Sequence, residues 1–120
     1  MGNICSSNKS YLERQAMAKV IVDKAIAANP VMVFSKSYCP FCAKAKRALE
    51  SVLPCEKIVV MELESRPDCA DIQDYLMSIT GGRSVPRVFV AGKFIGGGDD
   101  TDALARSGQL KAMLEEHNIL

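Results

Sequence analysis

The 120-residue chain has no tryptophan, a single histidine (His117), no excess of either charge and no long apolar run. With 15 basic and 14 acidic side chains its formal net charge is +1. A general nucleic-acid binder, which depends on a basic surface, is therefore not expected. No apolar stretch approaches the ~20 residues of a membrane-crossing helix. The first thirty residues carry Lys9, Glu13, Arg14, Lys19 and Asp23, which interrupt any signal-peptide apolar region. Glu13 and Asp23 also sit poorly with a mitochondrial transit peptide, which is poor in acids. One histidine, three residues from the end, leaves little material for a zinc site.

What is present is ordinary for a globular chain. One domain fits 120 residues and two do not. Hydrophobic residues make up 48% and charged residues 24%, a balance that disfavours disorder and coiled coil alike. Residues 1–10 are small and polar and read as a flexible tail, which leaves 11–120 as the folded domain. From Tyr11 to Ala28 the residues Met17, Val20, Ile21, Ala25 and Ala28 recur at helical spacing, and Asn29-Pro30 ends the helix they predict. Val31–Phe34 is all apolar, as in a strand buried on both faces. Pro40–Val52 reads as a helix with Ala43, Ala45, Ala48 and Leu49 inward. Ile58–Leu63 supplies the next strand and completes a βαβ unit with parallel strands. Pro67–Thr80 is helical, with Ile72, Tyr75, Leu76 and Ile79 on one side and Gly81-Gly82 as its stop. Val88–Val90 and Phe94-Ile95 flank the turn residues Ala91-Gly92-Lys93, a hairpin signal. One helical segment is expected from Asp99 to about His117. The class is α/β: a central four-stranded mixed β-sheet flanked by helices.

Five cysteines are an odd number, with no secretory signal ahead of them. That points to a reducing compartment, so a close pair is redox-active or metal-binding rather than a staple. The pair is Cys39-Pro40-Phe41-Cys42. Cys39 falls just after the first strand and opens a helix, and Pro40 suits the first helical position, where its missing N–H is not needed. Free backbone N–H groups and the positive end of the helix dipole then face the Cys39 sulfur and favour its thiolate. Lys36 adds positive charge three residues upstream. Cys42, one turn in, is better placed to resolve a disulfide than to start one. The alternative is half of a zinc site, but no second C-x-x-C and no H-x-x-x-H appear. Redox chemistry is favoured and no metal is expected. Cys55 and Cys69 match no motif and read as packing or bystander thiols.

Three segments together carry a resemblance. Ser35-Lys36-Ser37-Tyr38-Cys39-Pro40-Phe41-Cys42 looks like the active site of a dithiol glutaredoxin. Thr80-Gly81-Gly82-Arg83-Ser84-Val85-Pro86-Arg87-Val88-Phe89-Val90 is similar to that family's TGxRTVPxVFI segment, and Ile95–Thr101 resembles its IGGxxD motif. The resemblance covers about residues 17–120, and the element order is likewise of the thioredoxin type. It implies a thioredoxin-like fold and a glutathione-dependent thiol–disulfide oxidoreductase. In that scheme the Cys39 thiolate attacks protein–glutathione mixed disulfides and low-molecular-weight disulfides, and Cys42 is the resolving thiol. Glutathione is then the reducing co-substrate, and glutathionylated proteins are the partners.

The resemblance also assigns a groove beside Cys39. Lys36 would pair with the glycine carboxylate of glutathione, joined by a hydrogen bond from Gln73. Tyr38, next to Cys39, counts among the same contacts. Val85 would offer its backbone to the tripeptide like an added strand, turned toward it by a cis Pro86. Asp99 and Asp100, at the start of the last helix, would receive the γ-glutamyl end. The departures are Phe41 where many members have Tyr, Ser84 where Thr is usual, and Gly98 where some carry a further cysteine.

A rival within the resemblance is a dimer that holds an iron–sulfur cluster through Cys39 and glutathione; the Pro40 ring argues against it. A monomer in the cytoplasm is expected. Met1-Gly2-Asn3-Ile4-Cys5-Ser6 nevertheless fits M-G-x-x-x-[ST], the pattern for myristoylation of Gly2. One such chain anchors only marginally, and palmitoylation of Cys5 would supply the second signal for membrane association. The competing explanation is a small, polar start in which a short motif occurs by chance.

Overall fold

The structure, a computed structural model, describes residues 9–120. Gly2 and Cys5, the two proposed lipidation sites, lie outside the described residues. Ten elements follow in order: α1 (Tyr11–Ala28), β1 (Val31–Ser35), α2 (Pro40–Glu50), a 3-10 turn at Cys55–Lys57, β2 (Val59–Glu62), α3 (Cys69–Thr80), β3 (Arg87–Val90), β4 (Lys93–Gly96), α4 (Gly98–Ser107) and α5 (Gln109–Glu116). The four strands lie in the order β2-β1-β3-β4. β1 runs parallel to β2 and antiparallel to β3, and β3 runs antiparallel to β4. This is the mixed sheet of a thioredoxin-like fold.

β1 explains how the sheet divides the interior. All five of its residues are buried, as its apolar run predicts. Successive side chains point to opposite faces. Val31 and Val33 therefore join Ala45 and Leu49 of α2, Val88 and Val90 of β3, and Leu110 and Leu114 of α5. Met32 and Phe34 join Ala18 and Val22 of α1, Ile72, Tyr75 and Leu76 of α3, and Phe89 of β3. Phe34 meets Phe89 edge-on, with ring centroids 5.8 Å apart. The helix that carries the two cysteines is thus fixed to the sheet by one of the two cores.

Several expectations need correction. The inward face of α1 is built on Ala18 and Val22, whereas Met17 and Val20 are 50% and 65% exposed. Apolar residues surround much of this helix, so spacing alone does not select the buried side. Close approach to α3 does, because the small Ala18 admits it. Tyr75 Oη donates to Asp23 at 2.6 Å and Gln15 Nε2 to the Asp71 carbonyl at 2.9 Å, which fixes the register of the two helices. Ile79 is likewise exposed and not part of the buried face of α3. Lys9 and Ser10, read as the end of the tail, belong to the folded unit. Ser10 caps α1 through a reciprocal pair of bonds with Glu13 (3.0 and 3.1 Å), and the Lys9 carbonyl accepts from Arg14 at 2.7 Å.

The C-terminal helical segment is two helices, not one. Gly108 takes a left-handed conformation (φ 81°) and ends α4 before α5 begins. The turn between β3 and β4 has two residues rather than three: Ala91 and Gly92 both have positive φ, and Val90 pairs with Lys93. Among the described residues no helix is long and apolar enough to cross a membrane.

Candidate active site

β1 ends at Ser35 and α2 begins at Pro40, so the sheet delivers the chain directly to Cys39. Cys39 is the N-cap of α2, with extended backbone (φ −87°, ψ 121°) and Pro40 in the first turn. Its sulfur accepts the Cys42 N–H at 3.3 Å. This is the arrangement read from the sequence: the side chain at the cap takes up an N–H that the helix leaves free. Cys39 is half-exposed and Cys42 is buried, and both are free thiols. Burial pushes the Cys42 thiol up, and the Lys36 N–H, which reaches its sulfur at 3.4 Å, opposes that.

Two distant segments close around this helix start. The Val85-Pro86 bond is cis, and the Val85 carbonyl lies 3.8 Å from the Cys39 sulfur. The start of α4 packs against α2 so tightly that a Cβ on Gly98 would stand 2.5 Å from the Phe41 carbonyl oxygen. A side chain there would require α4 to back away. Between these segments lies an open groove of about 460 Å³, lined by Phe41, Val85, Pro86, Arg87, Gly98 and Asp100 among others. A larger groove of about 710 Å³ lies at the other end of β1, where Pro30, Val59, Ala91 and His117 line it; none of the expected site residues reaches it.

The remaining expected residues fall into distinct places. Asp100 accepts the Gly97 N–H at 3.3 Å and caps α4 at the edge of the groove. Asp99 forms a 2.7 Å ion pair with Lys44 of α2, and both side chains are well exposed, so the pair adds little stability. Tyr38 is 71% exposed beside Cys39. Lys36 is half-buried in the loop between β1 and α2, and among the described residues its ammonium has no ion-pair partner. Gln73 is only 7% exposed, which excludes a solvated surface side chain. One of its N–H groups is spent on the Arg83 carbonyl at 2.8 Å, and the Cys69 thiol meets its Oε1 at 3.4 Å. Gln73 therefore supports the segment leading to Val85, with one amide N–H left over.

Two residues of the site were not singled out from the sequence. Arg87 donates to the Ser84 carbonyl at 2.8 Å and to its hydroxyl at 3.1 Å, and it lies over the Phe94 ring at 5.1 Å. It thus braces the groove wall, and burial lowers its pKa. Its place directly after Val85-Pro86 was the available signal. Glu64 holds the loop ahead of Cys39: its carboxylate accepts the Ser37 N–H at 3.2 Å and the Ser37 hydroxyl. No sequence signal joins these two, since they lie 27 residues apart.

The bonds from Ser37 hold the Glu64 carboxyl below its ordinary value, the hydroxyl more than the N–H. The stabilisation is therefore complete above the ordinary carboxylate range and is lost as pH falls through the depressed folded value. The Ser37 amide resonance is expected to titrate below the usual Glu range in an NMR pH series. A midpoint at or above that range would mean that the clamp is not made.

The fold and the site have counterparts among known proteins. The family model described as Glutaredoxin matches residues 31–95. Glutaredoxin-C4, chloroplastic, from Oryza sativa subsp. japonica is 43% identical over 113 residues, covering 92% of this chain and 84% of the relative. Glutaredoxin-2 of Schizosaccharomyces pombe is 44% identical over 101 residues, covering 84% and 90%. The crystal structure of oxidized glutaredoxin 2 from Chlamydomonas reinhardtii superposes with a TM-score of 0.85 at 54% identity, over 88% of this chain and 98% of that one. A buckwheat glutaredoxin–glutathione complex superposes with a TM-score of 0.82 at 35% identity, over 90% and 96%.

Proposed function

The chain belongs to the glutaredoxin family and is an oxidoreductase of it; from that premise we propose that it reduces protein–glutathione mixed disulfides and low-molecular-weight disulfides through Cys39, with glutathione as electron donor. Its redox function is glutathione-dependent. The observation that carries the finer reading is the asymmetry of the two thiols. Cys39 is half-exposed at the helix cap with an N–H on its sulfur, and Cys42 is buried behind it.

The Cys39 thiolate attacks the glutathionyl sulfur of a mixed disulfide and expels the protein thiolate, which leaves Cys39 joined to glutathione. A second glutathione thiolate then attacks the same glutathionyl sulfur, releasing oxidised glutathione and restoring Cys39. In the two-thiol branch Cys42 instead attacks the Cys39 sulfur, expels glutathione and closes a Cys39–Cys42 bond, which two glutathiones reopen. The free N–H groups at the start of α2 stabilise negative charge on Cys39 each time it leaves or attacks.

For the tripeptide, the Val85 backbone beside Cys39 supplies strand-like hydrogen bonds. The unpaired Lys36 ammonium takes the glycine carboxylate, and the leftover N–H of Gln73 adds to it. Asp100, with the N-terminus of α4, holds the γ-glutamyl ammonium and carboxylate. Tyr38, exposed directly before Cys39, adds a contact for the tripeptide there. Asp99, tied to Lys44, contributes only charge at this end.

Turnover of a glutathionylated peptide, coupled to glutathione reductase and NADPH, tests the function. Lys36→Ala and Asp100→Asn are each expected to raise the apparent KM for glutathione roughly fivefold, the equivalent of about 1 kcal/mol for one charged contact. Asparagine keeps an acceptor for the Gly97 N–H, so the cap survives. An unchanged KM in both variants would return these two residues to plain surface charge.

A further inference from the structure

The row of β1 side chains that faces α2 runs Val31, Val33, Ser35, by the same alternation that sends Met32 and Phe34 the other way. On α2 the buried row runs Cys42, Ala45, Leu49. Their apolar members pack together, which leaves Ser35 at the Cys42 end. Ser35 is completely buried, and its hydroxyl has no hydrogen-bond partner among the described residues. Buried hydroxyls are nearly always bonded. An unspent one at the Cys42 end of the row suits an acceptor that becomes strong only when the sulfur takes up charge.

We propose that Ser35 is a positioning residue for the resolving thiol: its hydroxyl donates to the Cys42 sulfur when that sulfur carries negative charge, alongside the Lys36 N–H. The inference rests on the reading of Cys42 as the resolving thiol. When glutathione reopens the Cys39–Cys42 bond, its thiolate attacks the Cys39 sulfur. The glutathione–Cys39 bond forms, the bond between the two cysteines breaks, and the electron pair leaves on Cys42. A second glutathione thiolate then releases Cys39 and departs as oxidised glutathione, so two glutathiones supply the two electrons. The departing Cys42 sulfur receives its charge in a buried place, where only fixed donors can meet it.

The groups that act on that sulfur are few. Burial and the neighbouring Cys39 oppose its ionisation, and the Lys36 N–H and the Ser35 hydroxyl favour it. Glu62, the register partner of Ser35 on β2, has one carboxylate oxygen paired with Lys46 of α2 at 2.7 Å, while its Oε1 is, like the Ser35 hydroxyl, buried without a partner among the described residues. A less basic leaving thiolate departs faster.

The test starts from the full-length protein oxidised to the Cys39–Cys42 disulfide. Ser35→Ala is expected to slow its reduction by glutathione roughly three- to tenfold. The same change, made on Cys39→Ser, shifts alkylation of Cys42 to higher pH. Ser35→Thr, which restores a hydroxyl, recovers both. On a Cys42→Ser background Ser35→Ala has no resolving thiol to act on, so one-thiol turnover stays with its parent; a merely misfolded site would lose it. An unchanged reduction rate, or an equal loss in the Cys42→Ser background, would overturn the inference alone. If glutathione fails to reduce the disulfide of the unaltered protein, both the inference and the reading beneath it fall.

Discussion

Cys39→Ser is expected to abolish turnover of glutathionylated and low-molecular-weight disulfides alike, while Cys42→Ser keeps glutathione-dependent removal of glutathione from a mixed disulfide. The difference follows from position. Cys39 is half-exposed at the N-cap of α2, and its sulfur already receives the Cys42 N–H at 3.3 Å. Serine in its place offers a hydroxyl whose ionisation lies far above that of a thiol, so no nucleophile remains at neutral pH. Cys42 is fully buried and cannot meet a protein substrate directly. Its loss removes only the branch that closes the Cys39–Cys42 bond, and the Cys42 N–H that caps the Cys39 sulfur is a backbone group that the substitution retains. Steady-state rates with a glutathionylated peptide check this, with the coupled assay read at saturating glutathione. Equal loss in the two variants would remove the one-thiol route.

The second large effect concerns the strand beneath the site. Phe34→Ala is expected to cost about 3–5 kcal/mol, a large share of the ~5–15 kcal/mol that holds a domain of this kind together. Phe34 is completely buried among Ala18, Val22, Ile72 and Leu76, with Phe89 edge-on against it. Removing the ring leaves a cavity between the sheet and the α1–α3 layer that rigid strands cannot close. Urea unfolding, followed by the midpoint at constant slope, measures the loss. A cost below about 1 kcal/mol would mean that this core repacks freely. Phe34 is also one residue from Ser35 and two from Lys36, so β1 transmits any loosening directly into the active-site loop. Activity of the variant should then fall at temperatures where the intact protein is still fully folded.

The parts of the molecule legible in the sequence were those set by local chemistry. Pro40 after Cys39 marks a helix start, and the all-apolar β1 marks a strand buried on both faces. Where the outcome depended on what a segment packs against, the pattern was less informative. α1 carries apolar residues on several sides, and only the approach of α3 decides that Ala18 and Val22 go in while Met17 and Val20 stay out. Gly108 interrupts an otherwise continuous helical pattern, and its left-handed backbone splits the segment in two. Gln73 was legible as a polar residue near the groove segment but not as a buried one, because its partner is a carbonyl ten residues away. Glu64 and Ser37 meet only after β2 has been laid beside β1. The helix-cap position of Cys39 was therefore readable from one short segment, whereas the bonds that brace the surrounding groove, from Arg87 and Gln73, required the fold.

The most direct test is to trap the first covalent intermediate. Cys42→Ser protein, incubated with oxidised glutathione and then digested and mapped by mass spectrometry, should carry one glutathionyl group on the peptide containing Cys39, removable by reduced glutathione. The exposed Cys55, whose thiol is pushed up by the neighbouring Glu56 carboxylate, should remain unmodified. A glutathionyl group distributed over Cys55 and Cys69, or none on Cys39, would contradict a glutathione-dependent mechanism centred on Cys39.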